Sequence, residues 1–326
     1  MTVLLAVSCG RKTGDGPTVS RFDGFTQGTT YHILVKSDGP LHLEKEIDSL
    51  LTEVDNSMSL YNPQSLLSRL NRNETDSADG FITECILTAR RISEQSDGAY
   101  DVTVKPLTAA YGFTGDMPVQ NPDVDSLLEL VGYDKIAVEN GRLRKADPRM
   151  QIDLNSIAQG ATSDYIAAYF DKLGIEEYMI EVGGEIFCRG LNAKGKPWVV
   201  GIDRPKEGNL TPGADLQVKI SLSGKGLATS GNYRKFRTDS SGRKIVHTVD
   251  PRTGQPVISD LLSATVVAET SAEADAYGTA LMVMGLERSK EFLAAHPEIQ
   301  AYLIYSDEQG RFQTYVTPEL GRTIAR

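Results

Sequence analysis

In the run TSAEADAYGTALMVMG, Asp275 and Thr279 stand four residues apart, so on a helix a carboxylate and a hydroxyl would share one face. Two oxygens at that spacing suit a hard cation such as Mg²⁺, with water and phosphate oxygens completing the shell. On its own the run is more simply a solvated polar face, opened by a capping box of Thr270 and Glu273. A second cluster lies in QIDLNSIAQGATSD, residues 151–164, which reads as a short strand, a polar turn and a helix. Asp153 closes the strand, Asn155 and Ser156 fill the turn, and Gly160 sits one turn into the helix. Ser156 and Gln159 have capping-box spacing, and a cap is the simpler account of those two. A cap needs neither Asp153 nor Gly160, whereas a helix N-terminus with small residues offers N–H groups to a phosphate or a polar ring edge. The third feature is His247 in HTVDPRTGQP, placed before an Asp250-Pro251 turn that closes at Gly254. A strand end displays a general base well there, although a single histidine is more often structural.

The elements that must position these groups are a mixture of strands and helices without strict alternation. VSRFDGFTQGTTYHILVK predicts two strands around a Gly-containing connection, and a helix follows from about Leu41, with Leu43, Ile47, Leu50, Leu51 and Val54 on one stripe. FITECILTARRISEQ predicts another amphipathic helix. Asn140-Gly141 marks one hairpin and Gly183-Gly184 a second. Strands are expected in EYMIEV, EIFCRG, PWVVGI, LQVKISL, KIVHTV and LLSATVVAE, a helix from Ser271 to Met284, and strands in QAYLIYS and FQTYV. This order predicts an α+β fold, with mixed or antiparallel sheets packed against helices.

Composition narrows the function. The 326 residues are 40% hydrophobic and 24% charged, which suits an ordinary globular core. A net charge of −10 argues against a nucleic-acid partner, and means that an anionic ligand needs a metal or backbone N–H groups to receive it. GLNAKGK, residues 190–196, has phosphate-loop spacing up to its lysine, but Pro197 stands where Ser or Thr is required and a strand follows, so it reads as a hairpin loop. No G-x-G-x-x-G opens a βα unit. Cys85 and Cys188 read as buried small hydrophobes. The stretch MTVLLAVSCG resembles the end of a bacterial lipoprotein signal with Cys9 as the lipid site. Residues 1–20 are therefore expected as a signal remnant and tether, residues 21–326 as one domain, and the protein as lipid-anchored at a membrane in the periplasm or cell envelope.

These signals occur together and in order. QGTTYHI, SMSLYNPQSLLSRLN, DGAYDVTVKPL, IDLNSIAQGATSD, YMIEVGGEIFCRG, ATSGNYRKF, HTVDPRTGQPV and EADAYGTALMVMG follow one another as in the ApbE-type flavin transferases, the FAD:protein FMN transferases. The chain resembles that family from about Phe22 to Tyr315. The resemblance implies that FAD is split at its pyrophosphate with Mg²⁺ present, AMP leaves, and FMN is esterified to a Thr or Ser hydroxyl of an acceptor protein, expected to be a membrane redox subunit. It also implies roles for residues: Asp153 and Gln159 binding FAD; Tyr61, Ala99, Tyr100 and Asp101 lining the flavin pocket with Gln27 at its edge; Ser156 (through its carbonyl), Asp275 and Thr279 holding Mg²⁺; and His247 as base. Family members often carry Gly-Gly at Asn155-Ser156, Lys or Glu at Gln159, and methionine at Gln27, and some place an oxygen-bearing side chain at Gly278. Two rival readings share the site: an FAD pyrophosphatase that releases FMN and AMP to water, and a non-catalytic FAD-binding lipoprotein.

Overall fold

The computed structural model describes residues 18–114, 117–205, 215–232, 236–238 and 244–324. Cys9 and most of the expected tether lie outside the described residues, as does most of the loop GNLTPGAD. β1 (Thr18–Thr26) begins within the span expected as tether and pairs with β2 (Thr29–Ser37) around Gln27-Gly28. Both turn residues have positive φ, +49° and +74°, as a two-residue hairpin turn requires.

Three helices follow. α1 (Glu44–Met58) starts three residues past Leu41 and buries Ile47, Leu51, Val54 and Met58. α2 (Leu66–Asn71) is capped by Ser65, whose Oγ accepts from Ser68 N–H, and α3 (Gly80–Gln95) by Asp79, which accepts from Ile82 N–H. After α4 (Lys105–Ala110) and α5 (Val124–Leu128), β3 (Ile136–Glu139) and β4 (Arg142–Lys145) pair across Asn140-Gly141. α6 (Ala158–Lys172) ends at Gly174 (φ +73°). β5 (Tyr178–Val182) and β6 (Glu185–Arg189) form the Gly183-Gly184 hairpin. Then come β7 (Trp198–Asp203), β8 (Leu216–Leu222), β9 (Lys225–Gly231), β10 (Phe236–Thr238), β11 (Lys244–Val246) and β12 (Leu261–Ala268). The chain closes with α7 (Ser271–Met284), α8 (Leu286–Ala295), β13 (Gln300–Ser306), β14 (Phe312–Val316) and α9 (Pro318–Arg322).

Eight strands make one antiparallel sheet in the order β1-β2-β5-β6-β9-β12-β13-β14. The fold is α+β, as the sequence predicts. α1, α3, α6 and α7 cover one face of the sheet. The β7–β8 ribbon covers the other, where Trp198, Val200, Ile202, Ile220 and Leu222 pack on Cys188, Leu227 and Ile304. Each large side chain so buried contributes roughly 1.5–3 kcal/mol, which holds the ribbon on a sheet whose main strands it does not join.

α7 sits deepest. Ala274, Ala276, Gly278 and Ala280 are all buried, as are Leu281 and Met282, and the helix packs on β9, β12, α6 and α3. Such close approach needs missing side chains. A Cβ on Gly226 of β9 would stand 2.2 Å from Ser271 N, and one on Gly160 of α6 would stand 2.4 Å from Ser271 O. The start of α7 is thus pinched between a strand and a helix. Its capping box forms: Thr270 Oγ1 accepts from Glu273 N–H (3.2 Å) and Glu273 Oε2 accepts from Thr270 N–H (3.4 Å). Asp164 of α6 adds a second cap, accepting from Ser271 N–H (2.9 Å) and Ala272 N–H (2.8 Å).

Four local expectations need correction. Residues 151–153, expected as a short strand, belong to no strand. Ser156 and Gln159 form no capping box, because α6 begins only at Ala158 and the Ser156 hydroxyl donates instead to the Tyr100 phenol (3.2 Å). GLNAKGK is not a hairpin loop: it carries the chain from β6 to β7, which belong to different sheets. KIVHTV is a strand only through Val246, so His247 lies just past its end.

Candidate functional site

At the helix-covered side of the sheet lies a cleft of ≈ 900 Å³. All eleven residues singled out in the sequence line it: Gln27, Tyr61, Ala99, Tyr100, Asp101, Asp153, Ser156, Gln159, His247, Asp275 and Thr279. They come from the β1–β2 turn, the segment after α1, the segment between α3 and α4, the approach to α6 and its first turn, the residue after β11, and α7.

Each is held by identifiable contacts. Gln27 Nε2 donates to Thr162 Oγ1 at 2.7 Å, tying the hairpin tip to α6. Tyr61 is 69% exposed, lines the cleft and has its phenol hydrogen-bonded with Asn155. Ala99 and Tyr100 are buried. The Tyr100 hydroxyl reaches Ser156 O at 3.5 Å, leaving that carbonyl a second lone pair. Burial pushes the Tyr100 phenol far up, so it acts as a neutral donor. Asp101 spends its Oδ1 on Thr103, accepting from N–H (2.7 Å) and from Oγ1 (2.6 Å), and so caps a short 3₁₀ turn as it walls the cleft. Asp153 Oδ1 accepts from Asn155 N–H at 2.8 Å, which folds the turn that precedes α6.

Asp275 is the most consequential acid. It is 7% exposed, faces the cleft one turn into α7, and its Oδ2 accepts from Gly160 N–H at 3.5 Å. Burial raises its carboxyl pKa, the Gly160 N–H opposes that, and the negative charge of Asp164 adds to it. Among the described residues no Lys, Arg or His forms an ion pair with it. A buried carboxylate opening on a cleft without a partner cation is the environment a metal ion relieves. Thr279 Oγ1 lies one turn on, 3.5 Å from Ser230 Oγ. With the Ser156 carbonyl these are hard oxygen donors, and the described residues contain no cluster of three or more His, Cys, Asp or Glu suited to a metal. The set fits Mg²⁺ shared with phosphate oxygens better than a transition metal.

The cleft also has residues the sequence did not single out. Glu185 is 7% exposed and opens β6 directly after the two turn glycines. Thr229 and Ser230 come from β9, and Asp55 and Asn62 from the end of α1 and the following loop. Glu185 stood in the sequence only beside the Gly183-Gly184 turn, within the block YMIEVGGEIFCRG, and Ser230 only within the block ATSGNYRKF.

The chain is similar to known proteins over most of its length. The model of the ApbE family matches residues 27–303. The chain is 35% identical to the FAD:protein FMN transferase of Haemophilus influenzae, over 90% of this chain and 88% of that protein. It is 31% identical to that of Escherichia coli K12, over 97% and 93%. Among solved structures, the flavin transferase ApbE from Vibrio cholerae superposes with a TM-score of 0.81 at 32% identity, covering 94% of this chain and 99% of that one. The apo flavinyl transferase ApbE of Pseudomonas stutzeri gives 0.82 at 30% identity, covering 94% and 97%.

Proposed function

The chain belongs to the ApbE family, and from that premise we propose that it is an enzyme that transfers FMN from FAD to a Ser or Thr hydroxyl of an acceptor protein, with Mg²⁺ bound, releasing AMP. The observation that carries this reading is the convergence of Asp275, Thr279, Ser156 and His247 on one cleft. Asp275, Thr279 and the Ser156 carbonyl would hold the ion. When bound, Mg²⁺ would offset the charge of a pyrophosphate entering a protein of net charge −10.

The remaining residues bind and orient. Tyr61 supplies an aromatic face to a ring of FAD, Asp153, Gln159 and Gln27 supply polar contacts, and Ala99, Tyr100 and Asp101 form a rigid wall. His247 accepts the proton of the acceptor hydroxyl as its oxygen bonds to the FMN phosphorus. The phosphorus–oxygen bond to AMP breaks, and AMP leaves with the bridging oxygen. Phosphoryl transfer asks chiefly for positioning and charge compensation, which this cleft supplies. The apolar run before Cys9 supports lipid anchoring at the cell envelope, where a membrane redox subunit would be the acceptor. No helix among the described residues is long and apolar enough to cross a membrane.

The test is mass spectrometry of a candidate acceptor after incubation with the protein, FAD and Mg²⁺. A covalent FMN adduct that vanishes on chelation supports transfer. Free FMN and AMP without an adduct, across several acceptors, would favour the pyrophosphatase. Intact bound FAD would leave only a binding protein.

A further inference from the structure

Ile152 belongs to no strand. Its N–H donates to Asn71 Oδ1 at 2.7 Å, and its carbonyl accepts from Asn71 Nδ2 at 2.9 Å. One carboxamide therefore supplies both bonds that a neighbouring strand would supply. Asn71 is the last residue of α2, 6% exposed and far from Ile152 in sequence. The next residue is held from the other side, since Asp153 N–H donates to Val102 O at 2.7 Å. The Ile152 side chain is itself fully buried. From this suspension the chain runs straight into Asp153, Ser156 and Gln159.

We infer that Asn71 is a positioning residue for the cleft: by standing in for a missing strand it fixes the segment that presents Asp153, Ser156 and Gln159 to FAD. The inference rests on the reading of the cleft as an FAD site. Only a side chain with a donor and an acceptor side by side serves both groups of Ile152. Aspartate accepts but cannot donate, and would set an oxygen against the Ile152 carbonyl; alanine does neither. A purely structural asparagine would, when removed, lower the folded fraction without changing the affinity of the molecules that fold. A positioning asparagine changes that affinity.

The experiment measures FAD dissociation constants, with Mg²⁺ present, for wild type, Asn71→Ala, Asn71→Asp and Asp79→Ala, each well below its own melting temperature. Asp79→Ala removes the cap of α3 and serves as a destabilised control with Ile152 untouched. Hydrogen exchange of the peptide spanning residues 150–157 is followed in the same samples without FAD. The expected result is FAD binding about 10–100-fold weaker in both Asn71 variants, unchanged in Asp79→Ala, with faster exchange at 150–157 in Asn71→Ala alone among the two alanine variants. Asn71→Asp decides the matter if Asn71→Ala does not fold. Wild-type binding with unaltered affinity in the folded Asn71 variants overturns the inference alone. Wild-type protein that binds no FAD overturns the reading of the cleft and the inference with it.

Discussion

Asp275 and His247 divide the proposed chemistry, and their variants should fail differently. Asp275→Asn keeps the volume and the Gly160 contact but removes the charge that Mg²⁺ would meet. Transfer is expected to fall by at least about 10²-fold, and the Mg²⁺ concentration needed for half-maximal rate should rise. His247→Ala is expected to cost on the order of 10²–10⁴ in turnover while FAD affinity stays near wild type, because the histidine is assigned to the acceptor's proton and not to the flavin. Isothermal titration with FAD, beside single-turnover adduct formation, separates the two. An Asp275 variant with full activity after extensive chelation would remove the metal from the account.

At the scale of elements, the site depends on how α6 and α7 meet. Gly160→Ala would press its Cβ on Ser271 O, a backbone atom that cannot swing aside. It is expected to destabilise the protein by about 1–3 kcal/mol, read as a lower urea midpoint, and to weaken the proposed Mg²⁺ binding because the Gly160 N–H that Asp275 accepts from is displaced. Asp164 offers a pH signature. Burial pushes its carboxyl up to about 7, against the two α7 N–H groups that pull it down. A folded pKa above the unfolded value means the folded state binds the extra proton. Stability from this group is therefore fully present below the ordinary value of 3.8 and is lost as pH rises through about 7. Asp164→Asn should flatten that part of the urea-stability profile, and an unchanged slope between pH 4 and 7 would show the carboxyl is not raised. These same elements mark what the sequence disclosed. Asp275 and Thr279 were visible because helical spacing alone puts them on one face, and the α7 capping box because its residues are local. β9 was not visible: KGLATSG lacks alternating large side chains, since α7 lies directly on it and leaves no room for them. The strand expected at 151–153 does not form, because a side chain from α2 takes the place of a strand partner and no local pattern announces it.

For the whole molecule, the cleft draws on segments from Gln27 to Val283. No single stretch makes it, which is why the separate motifs were individually weak and informative only in order. A ligand bridging so many segments should stabilise the protein globally. With FAD at 100 times its dissociation constant and Mg²⁺ present, stability is expected to rise by about 2.7 kcal/mol, and differential scanning calorimetry should show one cooperative transition moving upward. A transition that splits, with only part shifting, would mean that the segments do not respond as one body.

The pinch at Ser271 has a consequence for how this protein can vary. Added carbons at 160 and at 226 collide with main-chain atoms of residues 270–272, not with the Ser271 side chain. Shrinking residue 271 to glycine therefore gives back none of the lost space. In a combinatorial library over positions 160, 226 and 271, the two glycines should tolerate no partner-dependent rescue, while position 271 varies on its own. The helix that carries Asp275 and Thr279 thus begins at a place where the sequence cannot trade one change for another, and drift must find its freedom elsewhere.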